Sequence, residues 1–348
     1  MNWPPGDVAR WVPPEGWGRV VSVDAHTEGE PLRVILHGFP DLGDGPILER
    51  RRRARDEHDE IRRALMWEPR GHADMYGCLV GPPATPEADI GVLFTHNEGF
   101  STMCGHGIIA VTTVLVECGL VGPEVSSRGL GIDTPAGYVH ATPVVTDGRV
   151  ERVSFVNVPS FAYRLDASID VDGVGSVHYD IGYGGAFYAY VRAEDFGLRL
   201  LPSEAAELIR VGRAIKEAVQ SADPPAHPDD PDLGFVYGTI FVGAAHDDRN
   251  HSRNVCVFAD GEVDRCPTGT GVSGRLALHH ARGELVADES ITIESILGTC
   301  FTGRVGREVV VGDHAAVVPE VSGRAWITGR HEFLIAPDDP LAGGFLLR

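Results

Sequence analysis

The chain has 348 residues, a formal net charge of −20 and 43% hydrophobic residues. This length and composition are typical of a globular protein with room for two domains. A chain this acidic is a poor match for a phosphate backbone, so we expect no nucleic-acid partner.

Location and redox state follow from what the sequence lacks. The first residues contain no apolar region of the kind found in signal peptides, and no run of about 18 apolar residues occurs. We therefore expect a cytoplasmic protein without a membrane span. The 6 cysteines show no C-x-x-C pair and no His/Cys spacing typical of zinc. Reduced thiols and no metal site are the expectation.

The predicted elements begin with two strands around a glycine turn in residues 18–40, where apolar and polar residues alternate. Residues 46–66 interleave basic and acidic side chains and predict an exposed helix. Residues 203–220 predict an amphipathic helix capped by Ser203, and a proline-rich loop follows at 223–234. The second helix carries Lys216, the one lysine of the chain. A solvated surface lysine is a poor Schiff-base residue, so pyridoxal phosphate is not expected.

Two stretches of the chain resemble each other. "CGHGIIAVTTVLVECG" begins at Cys104 and "TGTGVSGRLALHHARG" begins at Thr268, and each has two early glycines, an apolar stretch and a final glycine. Two more pairs of segments, which begin at residues 132 and 293 and at residues 24 and 180, match at nearly the same separation. The sequence therefore predicts two copies of one α/β unit, with the boundary near residues 160–175.

Each glycine motif opens a predicted helix. The free N–H groups and the positive dipole end of a helix start bind anions, and they also favour a thiolate. Cys104 and Thr268 hold equivalent positions, so they should face each other across a cleft. Two cysteines there could exchange a Cα proton between opposite faces of a substrate. A threonine hydroxyl is too weak an acid for that exchange.

At these residues the chain resembles the proline racemase family, and most closely its trans-3-hydroxy-L-proline dehydratase branch. "MCGHG" at Met103 and "DRCPTGTG" at Asp264 are similar to the two family signatures, of which the second is usually D-R-S-P-C-G-T-G. Five other stretches also look family-like, and they spread the resemblance over nearly the whole chain: "VDAHTEGEPLRV", "EPRGHADMYG", "YGGAFYA", "RAWITG" and "DPLAGGF".

The resemblance implies an α/β (α+β) fold of the diaminopimelate epimerase type. Two pseudo-symmetric domains each consist of a curved, mostly antiparallel sheet around a central helix, and the active site lies between them. Residues 1–165 with 325–348 would form the first domain, and residues 166–324 the second. The last strand is expected to return to the first domain.

The resemblance also implies a reaction and a site. Cys104 matches the first catalytic cysteine, and Thr268 stands where the racemases have the second, which marks the dehydratase branch. The implied reaction converts trans-3-hydroxy-L-proline to Δ1-pyrroline-2-carboxylate and water, without cofactor or metal. His106 and Asp264 would hold the substrate amine. The N–H groups of Gly105, His106, Gly269 and Thr270 would hold its carboxylate.

Alternatives remain open because Cys266 occupies the serine position of the second signature. As a displaced second base it would make the protein a proline racemase or a 4-hydroxyproline 2-epimerase, although we expect its side chain to point away from the substrate. An amino-acid binding protein without turnover is another alternative. A diaminopimelate epimerase is disfavoured, since its thiols come as a pair. The expected partners are a hydroxyproline-type amino acid and a second copy of the chain in a homodimer.

Overall fold

The computed structural model of the protein describes residues 11–347. None of the helices in this part combines the length and the apolar character needed to cross a bilayer. The helices are α1 (Ile47–Glu57), α2 (Asp59–Met66), α3 (Gly105–Glu117), α4 (Val125–Arg128), α5 (Ala205–Ala222) and α6 (Gly269–Ala281). Short 3-10 helices lie at Ala193–Phe196, Pro202–Glu204 and Pro231–Leu233. The strands are β1 (Gly18–Thr27), β2 (Glu30–His37), β3 (Tyr76–Gly81), β4 (Ile90–His96), β5 (Leu130–Thr134), β6 (Gly137–Thr146), β7 (Arg149–Val156), β8 (Ser160–Val171), β9 (Gly175–Tyr183), β10 (Phe187–Arg192), β11 (Val236–Gly243), β12 (Ser252–Phe258), β13 (Glu262–Val263), β14 (Ser290–Glu294), β15 (Cys300–Arg304), β16 (Glu308–Val311), β17 (His314–Val317), β18 (Glu320–Gly323) and β19 (Ala325–Ile335).

The two halves of the chain repeat one strand order. In the first half, β1 and β2 form an antiparallel hairpin, β2 runs parallel to β3, β3 is antiparallel to β4, and β4 is parallel to β5. In the second half, β9, β10, β11, β12 and β14 show the same succession. In each half, a long helix lies in the chain between the last two strands of this succession. It is α3 between β4 and β5, and α6 between β12 and β14. The internal similarity of the sequence is thus a repeat of the fold.

Strand pairing also connects the halves. The C-terminal strand β19 runs antiparallel to β1 from Thr27–Ala325 to Gly18–Ile335. In the second half, β8 pairs with β9 in the equivalent way. The boundary expected between residues 165 and 166 falls inside β8. The pairings favour a boundary before β8, and the two-domain division itself stays a proposal.

The central helices are buried. The side chains of α3 are buried from Gly105 to Leu115, and those of α6 from Gly269 to Leu278. A helix such as α3, which is apolar on nearly all sides, belongs in a core. In α6 the buried Arg275 is accommodated because its guanidinium donates to Ser252 and Asn254. Their N-terminal ends touch: a Cβ on Gly105 would lie 2.7 Å from the Cα of Gly269, and a Cβ on Gly269 would lie 2.7 Å from the Cα of Gly105. Glycine at both positions therefore permits the contact.

The prediction for residues 46–66 was wrong in two respects. The segment forms two helices, α1 and α2, and it is not simply exposed: Arg50, Arg51 and Arg62 are buried. Arg51 donates to the carbonyl of Phe100 at 2.9 Å and 2.6 Å. These arginines are buried because backbone carbonyls satisfy their guanidinium groups, and charge patterning along a helix does not reveal such partners.

The helix predicted from residue 203 starts slightly later. Ser203 does not cap it: α5 begins at Ala205 after a short 3-10 turn, and its N-cap is Glu204, which makes no side-chain cap bond. Pro202 fits the first turn of that 3-10 segment and moves the helix start past the serine. Lys216 is half-buried and not solvated as predicted. Its amine donates to the carbonyl of Ala259, and the burial of the side chain lowers its pKa.

Candidate active site

The first helix start presents a thiol beside an imidazole. Cys104 is the N-cap of α3, with φ −147° and ψ 110°, and its sulfur accepts the N–H of Gly107 at 3.3 Å. The same sulfur lies 3.1 Å from Nδ1 of His106. Both side chains are buried. The nucleophilic atom of this helix start is therefore held between a backbone N–H and a histidine ring.

Burial governs the protonation of this pair. It raises the pKa of the Cys104 thiol well above its ordinary value, and the N–H of Gly107 opposes this only in part. Burial also lowers the pKa of His106 to about 4. The acidification expected of a helix start is thus outweighed, because desolvation penalises a charged sulfur more than one N–H stabilises it. At neutral pH the histidine is uncharged.

The second helix start has a different local arrangement. Thr268, the N-cap of α6, has φ +65°, a left-handed conformation that is uncommon for a β-branched residue. Its hydroxyl donates to Oδ2 of Asp264 at 2.7 Å and does not cap the helix. Oδ1 of Asp264 accepts the N–H of Cys266 at 2.8 Å. Both carboxylate oxygens are therefore fixed by the loop that leads into α6.

The two helix starts line one cavity between the halves. Its volume is about 20 Å³, which is room for roughly one water molecule. A five-membered-ring amino acid is larger, so its binding requires the lining groups to move apart. All seven residues singled out from the sequence line this cavity: Cys104, Gly105, His106, Asp264, Thr268, Gly269 and Thr270.

An aromatic wall completes the cavity, and sequence reasoning missed it. The ring of Tyr76 meets that of His106 edge to face, with centroids 4.8 Å apart. The hydroxyl of Tyr76 is 3.3 Å from that of Tyr237, whose ring stacks on Phe258. Tyr76 lies within a family-like stretch and could have been noticed. Tyr237 and Phe258 lie on β11 and β12, and no motif marks them. Met103 and Tyr188 also line the cavity.

The turn between β1 and β2 holds both helix starts in place. Glu30 is fully buried, and its Oε2 accepts the N–H of Arg265 at 2.8 Å and Nε of the same residue at 3.0 Å. Burial raises the pKa of Glu30 well above its ordinary value. Thr27 donates to the carbonyl of His106 at 2.9 Å. The stretch "HTEGEP" was noted only as family-like, and its contacts show that it joins the two signature segments.

The position of Cys266 differs from the expectation. Its side chain does not turn away from the site: the sulfur accepts the N–H of Thr268 at 3.4 Å, and it lies within 4.8 Å of ligand atoms of His106 and Asp264. Even so, Cys266 is not among the residues that line the cavity. Burial raises the pKa of its thiol well above the ordinary value. In the loop before α6, the N–H of Cys266 donates to Asp264, and this contact keeps the sulfur on the side of the site.

A larger cavity adjoins the small one. It has a volume of about 750 Å³, and Tyr237 contributes to the lining of both. Lys216 and His96 line the larger cavity. Lys216 thus lines a different cavity from Cys104 and Thr268.

The sequence matches the model of the proline racemase family over residues 22–346. It is 47% identical over 334 residues to a trans-3-hydroxy-L-proline dehydratase from Colwellia psychrerythraea, with 96% of this chain and 94% of that protein covered. It is 46% identical to a 3-hydroxyproline 2-epimerase from Burkholderia multivorans, with coverages of 94% and 98%. The solved structure of a hydroxyproline epimerase from Agrobacterium vitis, with bound trans-4-hydroxy-L-proline, superposes with a TM-score of 0.89 at 31% identity and covers 95% of this chain and 96% of its own. The expected fold class is confirmed by this likeness.

Proposed function

The chain belongs to the proline racemase family, and from that premise we propose that it dehydrates trans-3-hydroxy-L-proline to Δ1-pyrroline-2-carboxylate and water. One observation carries the proposal. The two equivalent helix starts hold one thiol, Cys104, and one hydroxyl, Thr268, and that hydroxyl is already bound to Asp264. A site with one proton-transfer group at the two helix starts suits elimination better than racemisation. The 47% identity to a protein named for this activity supports it.

The substrate carboxylate would lie at the two touching helix ends. The first N–H groups of a helix have no acceptor within it, and here two such sets and two positive dipole ends meet at Gly105 and Gly269. The ring amine would lie between Asp264 and His106, where a buried carboxylate attracts its positive charge. In this pose both charges of the zwitterion are compensated by opposite partial or full charges of the protein.

Cys104 would act as the base that removes the Cα proton. Its raised pKa means that the thiolate must be stabilised by the substrate itself. A ring ammonium held beside Asp264 brings a positive charge close to the sulfur and lowers the thiol pKa when the substrate binds, so that the thiol proton is released to solvent and the thiolate forms. The N–H groups at the carboxylate stabilise the negative charge that develops as the Cα proton leaves.

The stereochemistry of the substrate fits a site with one base. In the trans isomer, the 3-hydroxyl and the Cα proton both lie opposite the carboxylate and so share a face of the ring. Cys104 can therefore take the proton and return it to the departing hydroxyl, which leaves as water. The resulting enamine tautomerises to the cyclic imine. Thr268 needs no acid–base role and serves to fix Asp264.

The decisive experiment offers trans-3-hydroxy-L-proline, L-proline and trans-4-hydroxy-L-proline separately to the enzyme in D₂O. An imine-trapping reagent detects dehydration, and chiral analysis with mass spectrometry detects inverted, deuterated Cα. The proposal expects imine from the 3-hydroxy compound and no inversion of the other two. Absence of imine from the 3-hydroxy compound would refute it.

A second candidate function is supported by the position of Cys266. Its sulfur lies within 4.8 Å of His106 and Asp264, and one close relative is named a 3-hydroxyproline 2-epimerase. In this alternative Cys266 is the second base of a racemase or 4-hydroxyproline 2-epimerase. The variant Cys266→Ser distinguishes the two. It should retain dehydration in our proposal, whereas it should abolish any epimerisation if the alternative is right.

We further propose a cytoplasmic homodimer, as expected from the sequence. Light scattering after size-exclusion chromatography measures its mass directly. A mass equal to that of one chain would refute the dimer.

A further inference from the structure

Three side chains with different ligand atoms meet beside the small cavity. His106 comes from the start of α3, while Asp264 and Cys266 come from the loop before α6. A ring nitrogen, a carboxylate oxygen and the sulfur all lie within 4.8 Å of one another, and all three residues are buried. The sequence showed no metal-binding spacing because the fold brings these residues together from the two halves.

We propose that His106, Asp264 and Cys266 bind a thiophilic divalent cation of the zinc class, such as Zn²⁺, Co²⁺ or Cd²⁺. Sulfur and imidazole ligands select these ions, whereas Mg²⁺ and Ca²⁺ prefer oxygen ligands. In a tetrahedral zinc site with bonds of about 2.0–2.3 Å, ligand atoms lie about 3.5 Å apart. Side-chain shifts on the order of 1 Å would therefore bring the three ligand atoms to bonding distance from a shared ion.

The charges of the ligands suit a divalent ion. His106 is buried, and its imidazole can offer one ring nitrogen to a metal while Nδ1 lies 3.1 Å from the sulfur of Cys104. Asp264 supplies one negative charge. As the metal–sulfur bond forms, Cys266 loses its thiol proton to solvent and supplies the second. One proton is thus released for each ion bound, and the charge of the ion is balanced.

The surroundings allow a fourth ligand and do not repel the ion strongly. His106 and Asp264 line the cavity of about 20 Å³, where one water molecule could complete a tetrahedral shell. The positive side chain closest in sequence, Arg265, is paired with Glu30 at 3.0 Å. Its charge is therefore compensated.

The site has a consequence for activity. His106 and Asp264 are the residues proposed to hold the substrate amine, so the ion and the amino acid should exclude each other. This consequence rests on the proposed function, whereas the metal site itself does not. Because Cys266 stands where the family signature usually has serine, Cys266→Ser removes the metal ligand and restores the usual residue.

The first test is spectroscopic and independent of turnover. The enzyme is titrated with Co²⁺ without oxygen, and the thiolate-to-cobalt charge-transfer absorption is recorded for wild type, Cys266→Ser and the control Cys118→Ser, which changes an exposed thiol. We expect one Co²⁺ per chain in wild type and the control, displaced by Zn²⁺, and at least about a tenfold loss of affinity in Cys266→Ser. An unchanged band in Cys266→Ser, or no band in wild type, would overturn the proposal.

Two further readouts complete the test. Wild type should release one proton per Zn²⁺ in weak buffer, and its affinity should fall about tenfold per pH unit as the pH is lowered; no release would overturn the site even if Cys266→Ser did not fold. Zn²⁺ should inhibit wild type competitively with trans-3-hydroxy-L-proline and inhibit Cys266→Ser at least about tenfold less. Equal inhibition of both would refute competition at this site. If wild type binds Co²⁺ but produces no imine, the metal site stands and the proposed function fails.

Discussion

The starts of α3 and α6 occupy equivalent places in the two halves, but they differ in both the side chain and the backbone conformation of their first residue. At α3, Cys104 is extended and its sulfur accepts a helix N–H, so it caps the helix. At α6, Thr268 has a positive φ, and its hydroxyl turns to Asp264. The glycines that follow let the two helices touch. The two helix starts therefore bring two sets of free N–H groups together, while their first residues, a thiol and a hydroxyl, differ in the proton transfers that we propose for them.

The largest effect is expected from removing the thiol at α3. Cys104→Ser should reduce kcat for dehydration by about 10³-fold or more, equivalent to about 4 kcal/mol, because a hydroxyl is a far weaker acid than a thiol. The assay is imine formation from trans-3-hydroxy-L-proline.

The matched control is Cys118→Ser at the other end of α3, where the thiol is exposed. It should retain wild-type kcat. Substantial dehydration by Cys104→Ser would show that the base lies elsewhere. The proposed difference in role between the thiol at α3 and the hydroxyl at α6 would then be wrong.

The contact between the helix starts can be broken from either side. Gly105→Ala and Gly269→Ala should each lower the free energy of unfolding by about 3 kcal/mol, because the new Cβ would meet the facing backbone at 2.7 Å. Denaturant unfolding measures the change. Gly81→Ala, whose Cβ would meet nothing within 4 Å, is the control and should change it little. A large effect at only one of the two central glycines would contradict a symmetric contact.

His106 should make stability depend on pH in a defined direction. Its pKa is lowered from 6.5 to about 4 in the folded chain, so below pH 6.5 the unfolded state binds a proton that the folded state does not. The free energy of unfolding should therefore fall as the pH falls from 6.5 to 4, by up to about 3 kcal/mol from this group.

His106→Gln isolates that contribution. Between pH 6.5 and 4 the unfolding free energy of wild type should fall by up to about 3 kcal/mol relative to that of the variant. Parallel curves would mean that the imidazole is not held neutral by burial.

The smallest change in rate is expected from making the second helix start resemble the first. Thr268→Cys should lower the dehydration rate about tenfold, because a thiol donates a weaker hydrogen bond to Asp264 than a hydroxyl does. It should also introduce slow, deuterium-labelled inversion of L-proline in D₂O. Thr268→Ser keeps the hydroxyl and should show no inversion. Absence of inversion in the cysteine variant would mean that more than this residue separates elimination from racemisation.

The sequence by itself determined the duplicated plan and seven of the twelve residues that line the cavity. Glycine motifs, apolar helical stretches and strand alternation are local signals, so the starts of α3 and α6 and the first hairpin could be predicted from them. The inward position of both helices was implied only by the family resemblance. The equivalence of Cys104 and Thr268 followed from the repeat. Family-like stretches identified His106 and Asp264.

Only the tertiary structure decided the environment of those residues. Tyr237, Phe258 and Glu30 reach the site from strands and a turn that are distant along the chain, and no local pattern connects them with it. The inward position of Cys266 depends on the loop that ties it to Asp264. The raised pKa of Cys104 has the same origin, since desolvation is set by every group packed around an atom and not by the neighbouring residues in the sequence.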